Sequence, residues 1–413
     1  MNINEILTIT VVIAAIFAYI NHRWIKLPPT IGIMALSLIS SVVLVVTGNS
    51  NFLLSKKAIM MVTSIDFENV LMNFMLSFLL FAGAIHIDAG KLKAERWPII
   101  ILATAGTLIS TFLVGGMVWY LFQVFHFPIP FIYCLLFGAL ISPTDPIAVL
   151  GILKQAKIPA SLELKISGES LFNDGVAVVV FISIAEVARS GNFSALNVAE
   201  LFLQEAVGGL IFGAVIGYIG YLALRSIDDY KVEVMITLAV VMGGYLVAGH
   251  LHVSGPLAMV VAGIILGNKV KGKGVSALTQ DYIEKFWELI DEILNAILFL
   301  LIGLEMLIIK ISTPVLLIGG ISIVLVLLAR WISVILPVSV LKYKIKFEQN
   351  AVAILTWGGL RGGISVALAL SLETNMYRDE FVLITYMIVV FSILVQGLTI
   401  RPVAKRLLQP AKE

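Results

Sequence analysis

Apolar residues in this chain neither alternate nor stripe one face of short helices; they run on for about 20 residues at a time, broken by short polar loops, from Ile6 to Leu408. As a helix, such a run is roughly 30 Å long, which matches the hydrocarbon thickness of a bilayer. The pattern predicts an all-α polytopic membrane protein with about thirteen spans, near residues 5–21, 30–47, 67–85, 98–124, 129–153, 166–187, 200–224, 232–249, 255–267, 287–308, 313–340, 351–372 and 380–400. The stretch Asn51–Phe67 fits least well and reads as a loop or interfacial helix on the outer side. No polar segment is long enough for a soluble domain, so function must sit among the spans.

Composition agrees: 60% of the 413 residues are hydrophobic and 13% charged, against about 45–50% and about 25% in soluble domains. Charge placement then orients the spans. The first run has no Lys or Arg ahead of it, while His22, Arg23 and Lys26 follow it. That is the reverse of a secretory signal, and predicts a retained span with its N-terminus outside. On that assignment 21 of the 28 Lys and Arg residues fall on the inner side, and only Lys56, Lys57, Arg189, Lys310 and Arg378 on the outer. This follows the positive-inside rule, with the C-terminus cytoplasmic. The net charge of +2 therefore reports topology and does not point to nucleic acid. Cys134 stands alone, so it offers no intrachain disulfide or cysteine metal site, and reads as core.

Polar groups at membrane depth carry the chemistry. The fifth span contains ISPTDPIAVL and the sixth GESLFNDGVAVVVF, joined by one inner loop. Asp145 precedes the end of its run at Leu153 by 8 residues, and Asp174 follows the start of the next at Ile166 by 8. At 1.5 Å per residue, both carboxylates lie roughly 12 Å in from the same face. Ser170 and Asp174, like Glu169 and Asn173, are spaced i,i+4, so these four share one helical face. A lone charge at the bilayer centre costs at least about 2.5–3.5 kcal/mol, so they must face inward, toward partners or a wet cavity. A structural polar network locking two helices is the plainer reading, and it suits Glu169 better than Asp174.

Pro143 and Pro146 flank Thr144 and Asp145 and predict a broken helix. Non-helical backbone at this depth survives only where it is buried or lines a water-filled cavity. Carbonyls freed around Thr144 could ligate a small hard cation, and Asp145 would offset a half-helix N-terminus. The twelfth span carries a counterpart, TWGGLRGGISVALAL, with Gly358, Gly359, Gly362 and Gly363 around Arg361. Two breaks in oppositely directed spans are the mark of an inverted-repeat transporter, although the glycines could instead serve close helix packing. Arg361 requires a buried anionic partner, and Glu169 is the first choice.

The remaining acids say less. Glu284, Glu288, Asp291 and Glu292 start the tenth span, where a solvated helix end is the preferred reading and a cation-attracting funnel the alternative. Glu205, Glu233 and Glu305 read as interfacial, and all five histidines fall at span ends.

GESLFNDGVAVVVF, ISPTDPIAVL and TWGGLRGGISVALALS, with FLLFAGAIHID in the third span, resemble the hallmark segments of the monovalent cation/proton antiporters, on the branch of the archaeal and bacterial NhaP proteins and the animal NHE exchangers. The likeness covers essentially the whole chain. It implies a homodimer of single antiporter domains (1–413), with a dimerisation part near 1–90 and 230–308, a mobile core near 97–190 and 312–402, and a linker helix at 198–228. It further implies that Asp174 alternately binds cation and proton, beside Asn173 of an Asn-Asp pair, with Thr144 and Ser170 supplying oxygens to a transported Na⁺. Asp145 and Asn173 would steady the crossing of the broken helices, and Glu169 and Arg361 would form a core ion pair. No cofactor is implied. Unlike the animal members, the chain carries no long tail after Arg401, which predicts a prokaryotic inner-membrane source and no cytoplasmic regulation of their kind.

The functional expectation is Na⁺(Li⁺)/H⁺ antiport rather than enzymatic activity. A buried Asp174 cannot hold its charge alone, so cation and proton compete for it. With Asn173 neutral and Glu169 offset, one acid titrates, and exchange should be electroneutral at 1:1. K⁺/H⁺ antiport, or a channel or solute symporter on a related inverted-repeat fold, is the alternative. An intramembrane aspartyl protease is disfavoured because its Tyr-Asp and Gly-x-Gly-Asp motifs are missing.

Overall fold

The computed structural model describes residues 3–46, 52–145, 158–191, 194–270 and 275–408. These are helical almost throughout, because a chain crossing lipid must satisfy each backbone amide within its own segment. The first helices are α1 (Asn4–Ile25), α2 (Pro29–Val46), α3 (Phe52–Ser64), α4 (Phe67–Ile85), α5 (Arg96–Val124) and α6 (Phe131–Ile141). Then come α7 (Ala160–Ser190), α8 (Ala195–Arg225), α9 (Tyr230–His250), α10 (Gly255–Val270) and α11 (Ala277–Glu305). The chain continues through α12 (Thr313–Leu341), the half-helices α13 (Ala351–Trp357) and α14 (Gly363–Leu370), and α15 (Arg378–Leu408).

Nine of these helices are long and apolar enough to cross a membrane; α6 and α10 are shorter apolar helices. With the acid-rich α11 and the α13–α14 pair, they fill the thirteen expected positions among the described residues. Local chemistry sets the boundaries. The side chains of Ser194, Asp229 and Ser276 accept from backbone amides at the starts of α8, α9 and α11. Gly191, at φ 67°, ends α7 in the left-handed conformation that glycine adopts without strain.

Helices α8, α4 and α9 pack around α10, and α11 lies along α2. The α8–α10 contact is a seam of small residues: Gly209, Gly213 and Gly217 face Ser254, Ala258 and Ala262 so closely that a methyl on any of these glycines would strike the opposite backbone. Trp287 of α11 is fully buried there, 4.6 Å from Phe81 of α4. A second group gathers α5, α6, α7, α12, α14 and α15, around Phe137 and Phe381, stacked at 5.2 Å. Cys134 is buried within it. Large apolar side chains of α1 and α8, among them Val11, Tyr19, Ile211 and Ile219, remain exposed, as on a lipid-facing surface.

Several boundaries differ from expectation. Helix α11 starts at Ala277 rather than near 287, whereas the segment before Phe67 forms a helix, α3, one of the two expected states. Lys165 belongs to α7 instead of a loop and is 1% exposed, between Glu95 (3.3 Å) and Glu348 (3.2 Å) and over the ring of Phe347. Glu233 and Glu305 are buried, not interfacial; Glu233 accepts a hydrogen bond from Thr279. The fifth span's second half, with Pro146 and Leu153, lies outside the described residues.

Candidate functional site

Two interruptions meet at the centre. Helix α6 ends at Ile141; its cap Ser142 keeps a helical backbone (φ −73°, ψ −34°), and the chain is non-helical from Pro143 to Asp145. Between α13 and α14 the glycine-rich segment 358–362 is likewise non-helical. They cross as an antiparallel bridge in which the Asp145 N–H donates to the Leu360 carbonyl at 2.8 Å. At Gly362 even a methyl group would collide with Asp145, so this glycine serves close approach.

Helix α7 passes alongside and ties itself to the break through side chains. The Asn173 amide donates to Thr144 Oγ1 at 2.8 Å while its Oδ1 accepts from the Thr144 N–H at 3.3 Å, and Thr144 Oγ1 lies 3.0 Å from Ser170 Oγ. Four of the expected residues, Thr144, Asp145, Ser170 and Asn173, are thus gathered within a turn or so of each other. Asp174 follows on the same helix. It is 6% exposed, makes no hydrogen bond or ion pair among the described residues, and lines a cavity of about 750 Å³ together with Thr144 and Asp145. A carboxylate with a wet approach and neutral oxygens nearby can hold either a small cation or a proton.

The expected Glu169–Arg361 ion pair is not formed. Glu169 is held instead by Arg330 of α12, whose Nη1 lies 2.5 Å from Oε1 and whose Nη2 donates to Oε2 at 3.1 Å. Arg330 Nη2 also donates to the Leu355 carbonyl at 3.1 Å, and its guanidinium rests against Gly359, which leaves room for it. Arg361 turns to the break: Nη1 donates to the carbonyls of Ser142 (2.6 Å) and Pro143 (3.0 Å), and its own N–H donates to Ser392 Oγ. The physical reason lies in the break. The helix has ended, so no following turn offers an N–H to the Ser142 and Pro143 carbonyls, and Arg361 supplies the donor.

The cavity's other wall is α11. Glu284, Glu288, Asp291 and Glu292, for which a solvated helix end is the preferred sequence reading, all line it, as do Asn295 and, from α14, Ser365. Asn295, Ser365 and Arg330's role were not foreseen. The i,i+4,i+7,i+8 spacing of the four acids on one helical face was the available signal for that wall.

The sequence profile of a family described as "Sodium/hydrogen exchanger, transmembrane" matches residues 11–406. The chain is 49% identical over 409 residues to the Na(+)/H(+) antiporter NhaP of Pseudomonas aeruginosa, covering 96% of this chain and 95% of that protein. It is 35% identical over 349 residues to the Na(+)/H(+) antiporter NhaH of Halobacillus dabanensis, covering 83% and 84%. The fold matches that of the sodium proton antiporter MjNhaP1 of Methanocaldococcus jannaschii with a TM-score of 0.75 at 21% identity, over 98% of both chains.

Proposed function

Because the chain belongs to the sodium/hydrogen exchanger family, a family of transporters and not enzymes, we propose that it exchanges Na⁺ for H⁺ across a bacterial-type cell membrane through competition at Asp174. The observation that carries this reading is the state of that residue: a carboxylate facing a cavity, with no cationic partner among the described residues, one helical position from a cluster of neutral oxygens. Na⁺ would take oxygens from Asp174, Thr144 and Ser170 in place of water. A proton on Asp174 removes the charge that holds the ion, so loading one expels the other.

Exchange requires that the cation-loaded and proton-loaded forms reorient while the empty anion does not, because a bare carboxylate is costly to carry past a low-dielectric barrier. Asp145 and Asn173 hold the crossing of the two interruptions in shape. The Glu169–Arg330 pair and Arg361 brace the elements behind it. The moving part would be the group formed by α5–α7 and α12–α15, sliding against α1–α4 and α9–α11, with α8 as the link and α1–α4 with α9–α11 forming a homodimer interface. In this orientation the N-terminus is outside, and the acid-lined mouth of the cavity and the C-terminus face the cytoplasm, as the Lys/Arg bias supports.

The test is a ΔpH-dequenching assay in proteoliposomes with Na⁺, Li⁺ and K⁺ in turn. Na⁺ should discharge the gradient, Li⁺ should follow, and K⁺ should not. Asp174→Asn should abolish exchange in protein that still folds; cation-dependent exchange persisting in that variant would overturn the assignment.

A further inference from the structure

On α11, Glu284, Glu288, Asp291, Glu292 and Asn295 stand at i, i+4, i+7, i+8 and i+11. They form a single stripe about 16 Å long at 1.5 Å per residue, and all five line the Asp174 cavity. An acidic stripe alone is what any solvated helix end shows. Its deep end is different. Asn295 is only 2% exposed, and its Nδ2 donates to the Asp291 carbonyl at 2.8 Å, which leaves Oδ1 as the free end of the amide. That oxygen is buried without a hydrogen-bond partner. Across the cavity Ser365 of α14, 1% exposed, has a buried and equally unpartnered Oγ. Helices α11 and α14 pack directly on each other.

Buried oxygens are almost always paired, so two orphans lining one cavity beside a carboxylate mark a place for a ligand that satisfies oxygen lone pairs, a hydrogen-bond donor or a cation. Asp145, Glu288 and Glu292 add negative potential around Asp291. An anion is excluded by that field. A small monovalent cation fits, with a carboxylate, an amide oxygen and a hydroxyl as hard donors.

We propose that Asp291, Asn295 and Ser365 form a second Na⁺ site in the cavity, separate from Asp174, where a partly dehydrated ion waits before transfer. The site rests on the exchange reading above and adds a staging position to it. The ion held there is not carried, so the 1:1 stoichiometry is unaffected. Its effect is to raise the local Na⁺ concentration next to Asp145 and Asp174, and to remove part of the ion's water before the last step.

Equilibrium binding of ²²Na⁺ to the purified full-length protein tests this. Asp174→Asn protein should retain one saturable, weaker site per chain, lost when Asp291→Asn or Asn295→Leu is added. Ser365→Ala, which removes only a hydroxyl, serves if either of those fails to fold, and should weaken the residual binding. In exchange assays on otherwise unaltered protein, Asn295→Leu should raise the KM for Na⁺ about tenfold. An Asp174→Asn protein with no saturable ²²Na⁺ binding, or with binding indifferent to these substitutions, would overturn the second site and reduce the cavity's orphan oxygens to water ligands. Exchange that survives Asp174→Asn would instead overturn the exchange reading, so the two failures are distinct.

Discussion

A carboxylate and a guanidinium joined bidentately in a site almost free of water, as Glu169 and Arg330 are at 7% exposure or less, form an interaction whose weight appears only when it is broken. The intact pair roughly balances desolvation against attraction, but removing one partner strands a buried charge at a cost of about 3–5 kcal/mol. Arg330→Met should therefore destabilise the protein by about that amount, and Arg330→Met with Glu169→Gln should recover most of it, as read from thermal melts in detergent. Equal damage in the single and double variants would reject the pairing. The sequence shows that Arg361 needs a buried anion, and the nearest candidate, Glu169, goes to Arg330 instead. Both arginines lie in apolar surroundings, and Arg330 is one charge within the long run Thr313–Leu341. Which of two buried arginines reaches a given acid depends on how α12 packs on α7, and no spacing along the chain encodes that.

At the scale of elements, breaks were readable and partners were not. Pro143, Pro146 and the glycines around Arg361 announce the interruptions from chemistry alone, and both interruptions are where those residues put them. The start of α11 was misjudged because Asp281, Glu284, Glu288, Asp291 and Glu292 depress its hydropathy; the acids are tolerated at depth because several of them face a cavity rather than lipid. Lys165 was misread for the opposite reason, since a lysine near a loop is usually solvated. Here it fastens three segments, α7, the Glu95 turn and the turn bearing Glu348. Burial pushes the Glu348 carboxyl up, but hydrogen bonds from Ser161 and its own backbone, with the charge of Lys165, outweigh burial and hold it below its ordinary 4.5. With the folded value depressed, this stabilisation is complete above pH 4.5 and is lost as pH falls through the folded value. Glu348→Gln should thus melt earlier than the parent at pH 7, and the two curves should converge in the acid range below 4.5. A gap that persists there would exclude the mechanism.

For the whole molecule the deciding quantity is charge. On the proposed reading, Asp145 and Glu169 at the crossing are matched in number by Arg330 and Arg361, so Asp174 is the acid there whose charge the cation or the proton would neutralise. Moving one net charge through a membrane couples to voltage by about 2.3 kcal/mol per 100 mV, roughly fifty-fold in an equilibrium. Exchange in voltage-clamped proteoliposomes should therefore be flat between 0 and about 100 mV. A rate that climbs or falls with potential would reject one cation per proton. Overall architecture was the most accessible feature of the chain, because bilayer thickness imposes helix length and lipid excludes other backbone states; the thirteen positions follow from that constraint alone.

The absent side chain at Gly362 has a further consequence. If the proposed reorientation takes place, two loose backbone segments that merely touched could drift apart, and the seat of the ion would blur with them. Interlocked against the Asp145 side chain with less than a methyl's clearance, they would shift only in concert, so under the proposed exchange the geometry set on one side of the membrane would be delivered unchanged to the other.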